Sequence, residues 1–318
     1  MSNIQCPMPN KRVALVLGSG GARGLAHIGA IEELEERGYQ ITSIAGCSMG
    51  SIIAGMYAAG RLPEAKEWFL TVDKQLILKM IDLNILSTNS IVKGARIIEE
   101  LKTIVPDQPL ESLRIPCSLV SADLISTEQV VFTKGSLFEA VRASISIPLF
   151  FEPVQRRRRL LIDGGVLNPL PLDVVKRQKG DILVAMDISG KDKMPIKQEK
   201  PDLVDMRRPL RYIESKGIDV PDKIEAKVCE LGTRLNAIRR KRAMDLRRNV
   251  GFIGLLDRMN DMQIQQNTLL SLRLNPPDVH AVMPQYAFAT FDFDRAEEII
   301  EQGRLLMRKA LDEYERQA

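Results

Sequence analysis

Between Arg12 and Gly60 the chain passes twice through one series of physical instructions: a short apolar run, a glycine-rich break and a helical stretch. Arg12 to Leu17 (RVALVL) is almost wholly apolar, as expected of a strand buried on both faces. It breaks at Gly18-Ser-Gly-Gly-Ala-Arg-Gly24. Leu25 to Arg37 then places Leu25, Ile28, Ile31 and Leu34 on one helical side, and Gly38 closes the stretch. Ile41 to Ala45 is the second apolar run, broken at Gly46-Cys-Ser-Met-Gly50. Ser51 to Gly60 is small and apolar enough to pack closely as a helix. A strand–helix–strand–helix opening of this kind needs crossover connections. It predicts an α/β fold with a mostly parallel central sheet and helices on both faces.

The remaining chain extends that reading. Residues 63–105 are largely helical in pattern. Residues 113–123 and 129–133 read as strands, paired at an edge. Leu137 to Ser146 is a short helix stopped by Pro148. Leu160 to Ile162 is a strand ended by Asp163-Gly164-Gly165, and Asp181 to Ile188 is another buried strand. Gly190 to Pro209 reads as a loop and 222–274 as helical. Val279 to Met283 is a strand, and Asp294 to Arg316 is a helix with Asp292 or Asp294 as N-cap. The expected organisation is a tail at 1–10, a core at 11–190, a basic and mostly helical insertion at 191–275, and a strand and helix at 276–318 that complete the core.

Composition narrows the class. Of 318 residues, 45% are hydrophobic and 27% charged, ordinary for a globular protein. A net charge of +4 is too small to imply a nucleic-acid partner, and 17 Lys and Arg against 10 Asp and Glu fall between Lys191 and Val250. Cys6, Cys47, Cys117 and Cys229 are dispersed without a C-x-x-C pair, which argues against a metal site or a disulfide framework and fits a reducing compartment. No secretory leader and no apolar run of about 18 residues is visible. The expectation is a cytoplasmic protein that touches a membrane at most peripherally and needs no cofactor or metal.

Three motifs carry candidate chemistry. Gly18, Gly20, Gly21 and Gly24 follow a strand and open a helix, so backbone N–H groups can converge on an anion. Arg23 stands where G-x-G-x-x-G needs its last glycine, and no lysine follows for a P-loop. Two readings of this loop stay open: an oxyanion hole at Gly20 and Gly21 with Arg23 ordering the loop, or a turn that packs helix on strand. Gly46-Cys47-Ser48-Met49-Gly50 is G-x-S-x-G, a serine on a sharp strand-to-helix turn; a capping serine between close-packed helices is the plainer alternative. Asp163-Gly164-Gly165 puts a carboxylate at the carboxyl end of a strand, where open α/β sheets place their chemistry, although Asp-Gly also suits an ordinary turn. In order, and each on a strand-to-loop junction, they supply nucleophile, base and oxyanion donors.

With these motifs the chain closely resembles the bacterial patatin-like phospholipases. The carriers are Gly20 to Gly24, Gly46 to Gly50, Asp163 to Gly165, and Ala143-Ser-Ile-Ser-Ile-Pro148 with Phe151 and Pro153. The likeness runs from about Val13 to Ile188 and resumes weakly at Val279 to Met283 and the last helix. It implies a Ser48–Asp163 dyad with Gly20 and Gly21 as oxyanion donors, acting through an acyl-enzyme on carboxylic esters of phospholipids or lysophospholipids. A general esterase or acyl-thioesterase on the same dyad, or a lipid-binding regulator without turnover, are the alternatives. Cys47 departs from the Thr that many members carry, and a thiol beside the nucleophile raises the question of oxidation. The order Ser48…Asp163…His280 also satisfies an α/β-hydrolase triad formally. It is disfavoured because Ser48 follows only two short strands and His280 lies within a strand-like run. His27, three residues after Gly24, reads as a core or supporting residue.

Arg239, Arg240, Lys241 and Arg242, with Arg247 and Arg248, flank Ala243, Met244 and Leu246. The cluster suits either the surface of an anionic bilayer or a solvated helix face, the usual meaning of a charge run. Arg156 to Arg159 is a second cluster, expected to form a hairpin turn before the Leu160 strand.

Overall fold

The computed structural model describes residues 11–72, 95–148, 150–191, 205, 207, 210–211, 219–245 and 252–317. The elements in chain order are β1 (Arg12–Leu17), α1 (Ala26–Glu36), β2 (Gln40–Cys47), α2 (Met49–Ala58), α3 (Leu62–Thr71), α4 (Ala95–Ile104), β3 (Cys117–Asp123), β4 (Glu128–Phe132), α5 (Leu137–Ser144), β5 (Val154–Arg156), β6 (Arg159–Asp163), β7 (Ile182–Gly190), α6 (Asp222–Asp245), α7 (Phe252–Leu274), β8 (Val279–Pro284) and α8 (Ala296–Glu315).

Eight strands form one sheet in the order β5-β6-β3-β2-β1-β7-β8, with β4 paired to β3 off this path. The β1, β2, β3, β7 and β8 pairings are parallel, whereas β4, β5 and β6 run antiparallel to their partners. The sheet is thus mostly parallel, and the apolar runs at Arg12, Ile41 and Asp181 are its central strands. Of the expected runs 113–123 and 129–133, Cys117–Asp123 and Glu128–Phe132 form an antiparallel pair, β3 and β4, while residues 113–115 precede the strand as a bend.

Register explains how the site arises. On β3, Leu119 pairs with both Gly46 of β2 and Phe132 of β4, so β2 and β4 lie on opposite edges. Ser121 pairs with Val130 of β4 and Asp163 of β6. Strands β2 and β6 therefore share one edge of β3 end to end, β2 finishing at Cys47 and β6 at Asp163. Two chain segments from opposite directions meet at Ser48.

The faces of the sheet are covered unequally. Val13, Leu15 and Leu17 of β1 join a large apolar cluster with α1, α2, α5 and α8. The alternate residues Ala14 and Val16 pack with Leu170, Leu172 and Val175, against which Leu272 of α7 lies partly buried. This alternation is what a two-faced buried strand requires.

The Arg156–Arg159 cluster forms a tight turn, with Arg156 and Arg159 paired across it and Arg157 at φ 56. The start of α8 differs from expectation. A short 3-10 turn, Phe293–Arg295, precedes it, and neither Asp292 nor Arg295, the N-cap residues of the turn and of α8, makes a side-chain cap bond. Asp292 instead accepts the Ala289 N–H at 2.9 Å, a turn contact that competes with capping.

Residues 1–193 and 261–318 make one compact unit and 194–260 a second. The second carries α6 and the start of α7. Arg239, Arg240, Lys241 and Arg242 lie along α6, and their side chains fall outside the described residues. The 1–10 tail and most of the expected 190–209 loop also lie outside them. Among the described residues, no helix is long and apolar enough to cross a membrane.

Candidate active site

Ser48 sits between β2 and α2 with φ 53 and ψ −122, a backbone conformation that L-residues rarely adopt. Such geometry costs about 1–3 kcal/mol and persists only where its surroundings fix it. Close backbone approach fixes it here. A Cβ on Gly46 would lie 2.2 Å from the Gly50 carbonyl, and one on Gly50 would lie 2.3 Å from that of Leu17. A side chain at Gly46 forces β2 and the first turn of α2 apart, and one at Gly50 drives the elbow off β1. The Ser48 N–H donates to Ser144 Oγ at 2.9 Å, and Ser144 Oγ donates to the Val120 carbonyl at 2.6 Å.

The Ser48 hydroxyl donates to Asp163 Oδ2 at 2.6 Å. The other carboxylate oxygen accepts the Gly165 N–H at 2.7 Å, and the Asp163 N–H donates to the Ser146 carbonyl at 2.9 Å. Gly164 packs against the Val120 carbonyl, bringing the Asp163 turn against β3. Ser48 and Asp163 are 3% and 4% exposed. Burial pushes the Asp163 carboxyl up to about 6, against the opposite pull of the Ser48 hydroxyl and the Gly165 N–H. A carboxylate held near 6 is a competent proton acceptor at neutral pH.

The glycine loop lies beside them. Gly18 donates its N–H to the Met186 carbonyl, Ser19 to Pro169 and Ala22 to Thr290, at 3.1, 2.8 and 2.9 Å. Among the described residues, the N–H groups of Gly20 and Gly21 have no partner. Gly21, at φ +59, lines the same cleft as Ser48. Gly24 packs on Met49, joining the loop to the start of α2. Arg23 is buried and donates from Nε to the Ile188 carbonyl at 3.0 Å and from Nη1 to that of Phe288 at 2.9 Å. Both contacts tie the loop to distant chain.

Neither histidine reaches Ser48. His27 is fully buried on α1 and bonds the Gly18 carbonyl through Nε2 at 2.8 Å. Burial drives its pKa down to about 4, so the ring is neutral and Nε2 carries the proton. Among the described residues, its Nδ1 has no partner. His280 lies on β8, which β1 and β7 separate from β2, with Nε2 3.5 Å from Asp187. The formal triad order Ser48…Asp163…His280 is therefore not assembled in space. Cys47 is wholly enclosed, and burial pushes its thiol pKa well up, reinforced by the Asp163 charge. The thiol stays protonated, the form least prone to oxidation.

An apolar cleft opens at Ser48, lined by Ile52, Trp68, Phe69, Leu101, Phe151 and Phe291 among others. Sequence reasoning did not foresee this lining, because its aromatic and aliphatic residues come from α2, α3, α4 and loops far apart in the chain. Nor did it single out Ser144. The readable signal was two small polar residues, Ser144 and Ser146, in the otherwise apolar run Ala143 to Pro148.

A parallel-centred sheet, a strained serine elbow bonded to an aspartate, and a glycine loop beside them define the patatin-like class. A family model described as patatin-like phospholipase matches residues 15–176, and the chain belongs to that family. An uncharacterized NTE family protein of Mycobacterium tuberculosis is 42% identical over 192 residues, 60% of this chain and 53% of that protein. The human patatin-like phospholipase domain-containing protein 6 is 32% identical over 198 residues, 60% of this chain but 14% of that protein. This chain's match thus spans about half or less of these relatives' length. VipD from Legionella pneumophila shares the fold, with a TM-score of 0.53 and 12% identity over 96% of this chain and 67% of that one.

Proposed function

We propose that this protein is a serine lipid acyl hydrolase acting on carboxylic esters of phospholipids or lysophospholipids. The observation that carries the reading is the 2.6 Å bond to Asp163 Oδ2 from the Oγ of Ser48, a residue that lines an apolar cleft. Ser48 Oγ attacks the ester carbonyl carbon as its proton passes to Asp163. The oxyanion of the tetrahedral intermediate takes the Gly20 and Gly21 N–H groups, and each such donor supplies about 2.7–4 kcal/mol of transition-state stabilisation. The intermediate collapses, the alcohol leaves with the proton from Asp163, and an acyl-Ser48 ester remains. Water then attacks that ester and gives a proton to Asp163. Collapse returns the proton to Ser48 and releases the fatty acid. The cleft suits an acyl chain because aromatic and aliphatic groups dominate its lining.

Fluorophosphonate labelling, with hydrolysis of a short-chain ester and of lysophospholipid, tests the reading. Ser48→Ala is expected to abolish labelling and Asp163→Asn to reduce both activities at least a thousandfold, while His280→Ala leaves them near wild type. Loss in His280→Ala equal to that in Asp163→Asn overturns the dyad. Ester hydrolysis without activity on any lysophospholipid or phospholipid overturns the substrate class.

A further inference from the structure

The strand register carries two hairpin tips past the nucleophile on its own side of the sheet. Cys47 pairs with Val120, and the next β3 residue, Ser121, pairs with Asp163. Leu124 and Ile125 follow β3 and stand three and four residues further on. At about 3.3 Å per residue the tip projects roughly 10–13 Å beyond the level of Ser48. Strand β6 runs the opposite way, so Arg159, four residues before Asp163, projects on the same side by a similar distance. The Arg157-Arg158 turn lies beyond it. The Leu124 N–H donates to the Leu160 carbonyl at 2.8 Å, which joins the two tips side by side.

Their exposed chemistry is unusual for a water-facing surface. Leu124 is 54% and Ile125 66% exposed, although single exposed aliphatics mean little. Beside them four consecutive arginines, Arg156 to Arg159, are all exposed. Arg159 lies 3.8 Å from Asp123 and Arg156 4.0 Å from Glu139, whereas Arg157 and Arg158 carry the apex. Phe291 of the cleft lining packs on Phe150, itself 41% exposed, with ring centroids 5.1 Å apart. Protruding aliphatics rimmed by guanidinium groups match the acyl–headgroup boundary of an anionic bilayer. The aliphatics enter the acyl layer while the arginines meet phosphate.

We infer that the paired β3–β4 and β5–β6 hairpin tips are a docking surface for anionic lipid membranes that places the Ser48 edge of the sheet against the bilayer. The purpose of this docking rests on the lipid-hydrolase reading, but the docking itself is measurable without turnover. The test is sedimentation of the full chain carrying Ser48→Ala with phosphatidylcholine vesicles and with phosphatidylcholine–phosphatidylglycerol vesicles. Binding is expected only to the anionic vesicles and to weaken with salt. Each arginine at an anionic surface contributes about fivefold in partition, so Arg157→Gly with Arg158→Glu is expected to cut binding at least ~30-fold. Leu124→Ser with Ile125→Ser is expected to cut it about tenfold or more while leaving the salt dependence in place. These positions are exposed, and unchanged thermal midpoints verify folding. No wild-type binding, equal binding to both vesicle types, or wild-type binding in both hairpin variants overturns the inference. Retention there combined with loss in Arg239/Arg240/Lys241/Arg242→Ala assigns the contact to α6 instead. Binding by Ser48→Ala, with no lipid hydrolysis by the native chain, sinks the hydrolase reading and leaves the docking surface standing.

Discussion

The hydroxyl of Ser144 accepts the Ser48 amide hydrogen at 2.9 Å and gives its own to the Val120 carbonyl at 2.6 Å. One buried side chain thus spans from β3 to the strained peptide of the elbow. Ser144→Ala leaves two buried backbone groups unsatisfied, at about 1–3 kcal/mol each. The expected result is a fluorophosphonate labelling rate at Ser48 lowered about 10- to 100-fold, with kcat for a soluble ester falling and KM nearly unchanged. A purely structural role predicts a lower thermal midpoint with the rate intact in the folded fraction.

Asp163 titrates near 3.8 ordinarily and near 6 in the fold. The folded state therefore holds this proton more tightly. The contribution favours folding fully below about 3.8 and is lost as pH rises through 6. Asp163→Asn removes this dependence. Its stability relative to the native chain is expected to grow by about 2–3 kcal/mol between pH 4 and pH 7 in urea titrations. The same carboxylate sets an acid limb near pH 6 for the labelling of native Ser48. A difference between the two proteins that does not change with pH contradicts the assignment.

His27 works in the opposite sense. Its ring sits near 4 in the fold against an ordinary 6.5, so its contribution is present above 6.5 and lost as pH falls through 4. His27→Gln keeps a side-chain N–H for the Gly18 carbonyl and does not titrate. Between pH 7 and pH 4 the variant is expected to gain about 2–3 kcal/mol relative to the native chain. A variant that is destabilised equally at both pH values shows instead that ring packing is the larger part of what His27 does.

Helices α1 and α8 touch backbone to backbone. A Cβ on Gly303 would lie 2.0 Å from the Ala26 carbonyl, and one on Gly29 would lie 1.9 Å from that of Ile300. No side-chain rotation relieves such a contact. Gly303→Ala is expected to cost about 3 kcal/mol or more, at the upper end of overpacking. Differential scanning calorimetry should show the midpoint falling by roughly 6–12 °C. An unchanged midpoint means the helices separate freely.

Much of the core was legible because it obeys short-range rules. The runs at Arg12 and Ile41 alternate with glycine breaks, and the structure returns β1, α1, β2 and α2 close to the expected limits. What was not legible is long-range. That β2 and β6 abut along one edge of β3 depends on the register of three strands, and no local pattern encodes it. The cleft lining shares this character, drawing Trp68, Leu101 and Phe291 from unrelated stretches. Asp294 resembled a helix cap because its residue type is right, but an intervening 3-10 turn moved the helix start to Ala296. The place of His27 in the first helix points to a core or supporting residue, but its bond to Gly18 arises only when α1 folds back over the loop.

The anchors of the glycine loop have a consequence for timing. Gly18 to Gly24 leave the ribosome well before the residues that anchor them, since Arg23 finds its acceptors at Ile188 and Phe288, and Ala22 finds its own at Thr290. Elongation at about 5–20 residues per second puts on the order of 8–30 seconds between the two ends of the Ile188 bond and on the order of 13–50 seconds between those of the other two. A nascent chain thus displays Ser48, and later Asp163, while the loop beside them is still unfastened. The last anchors of the loop are synthesised long after the elbow itself.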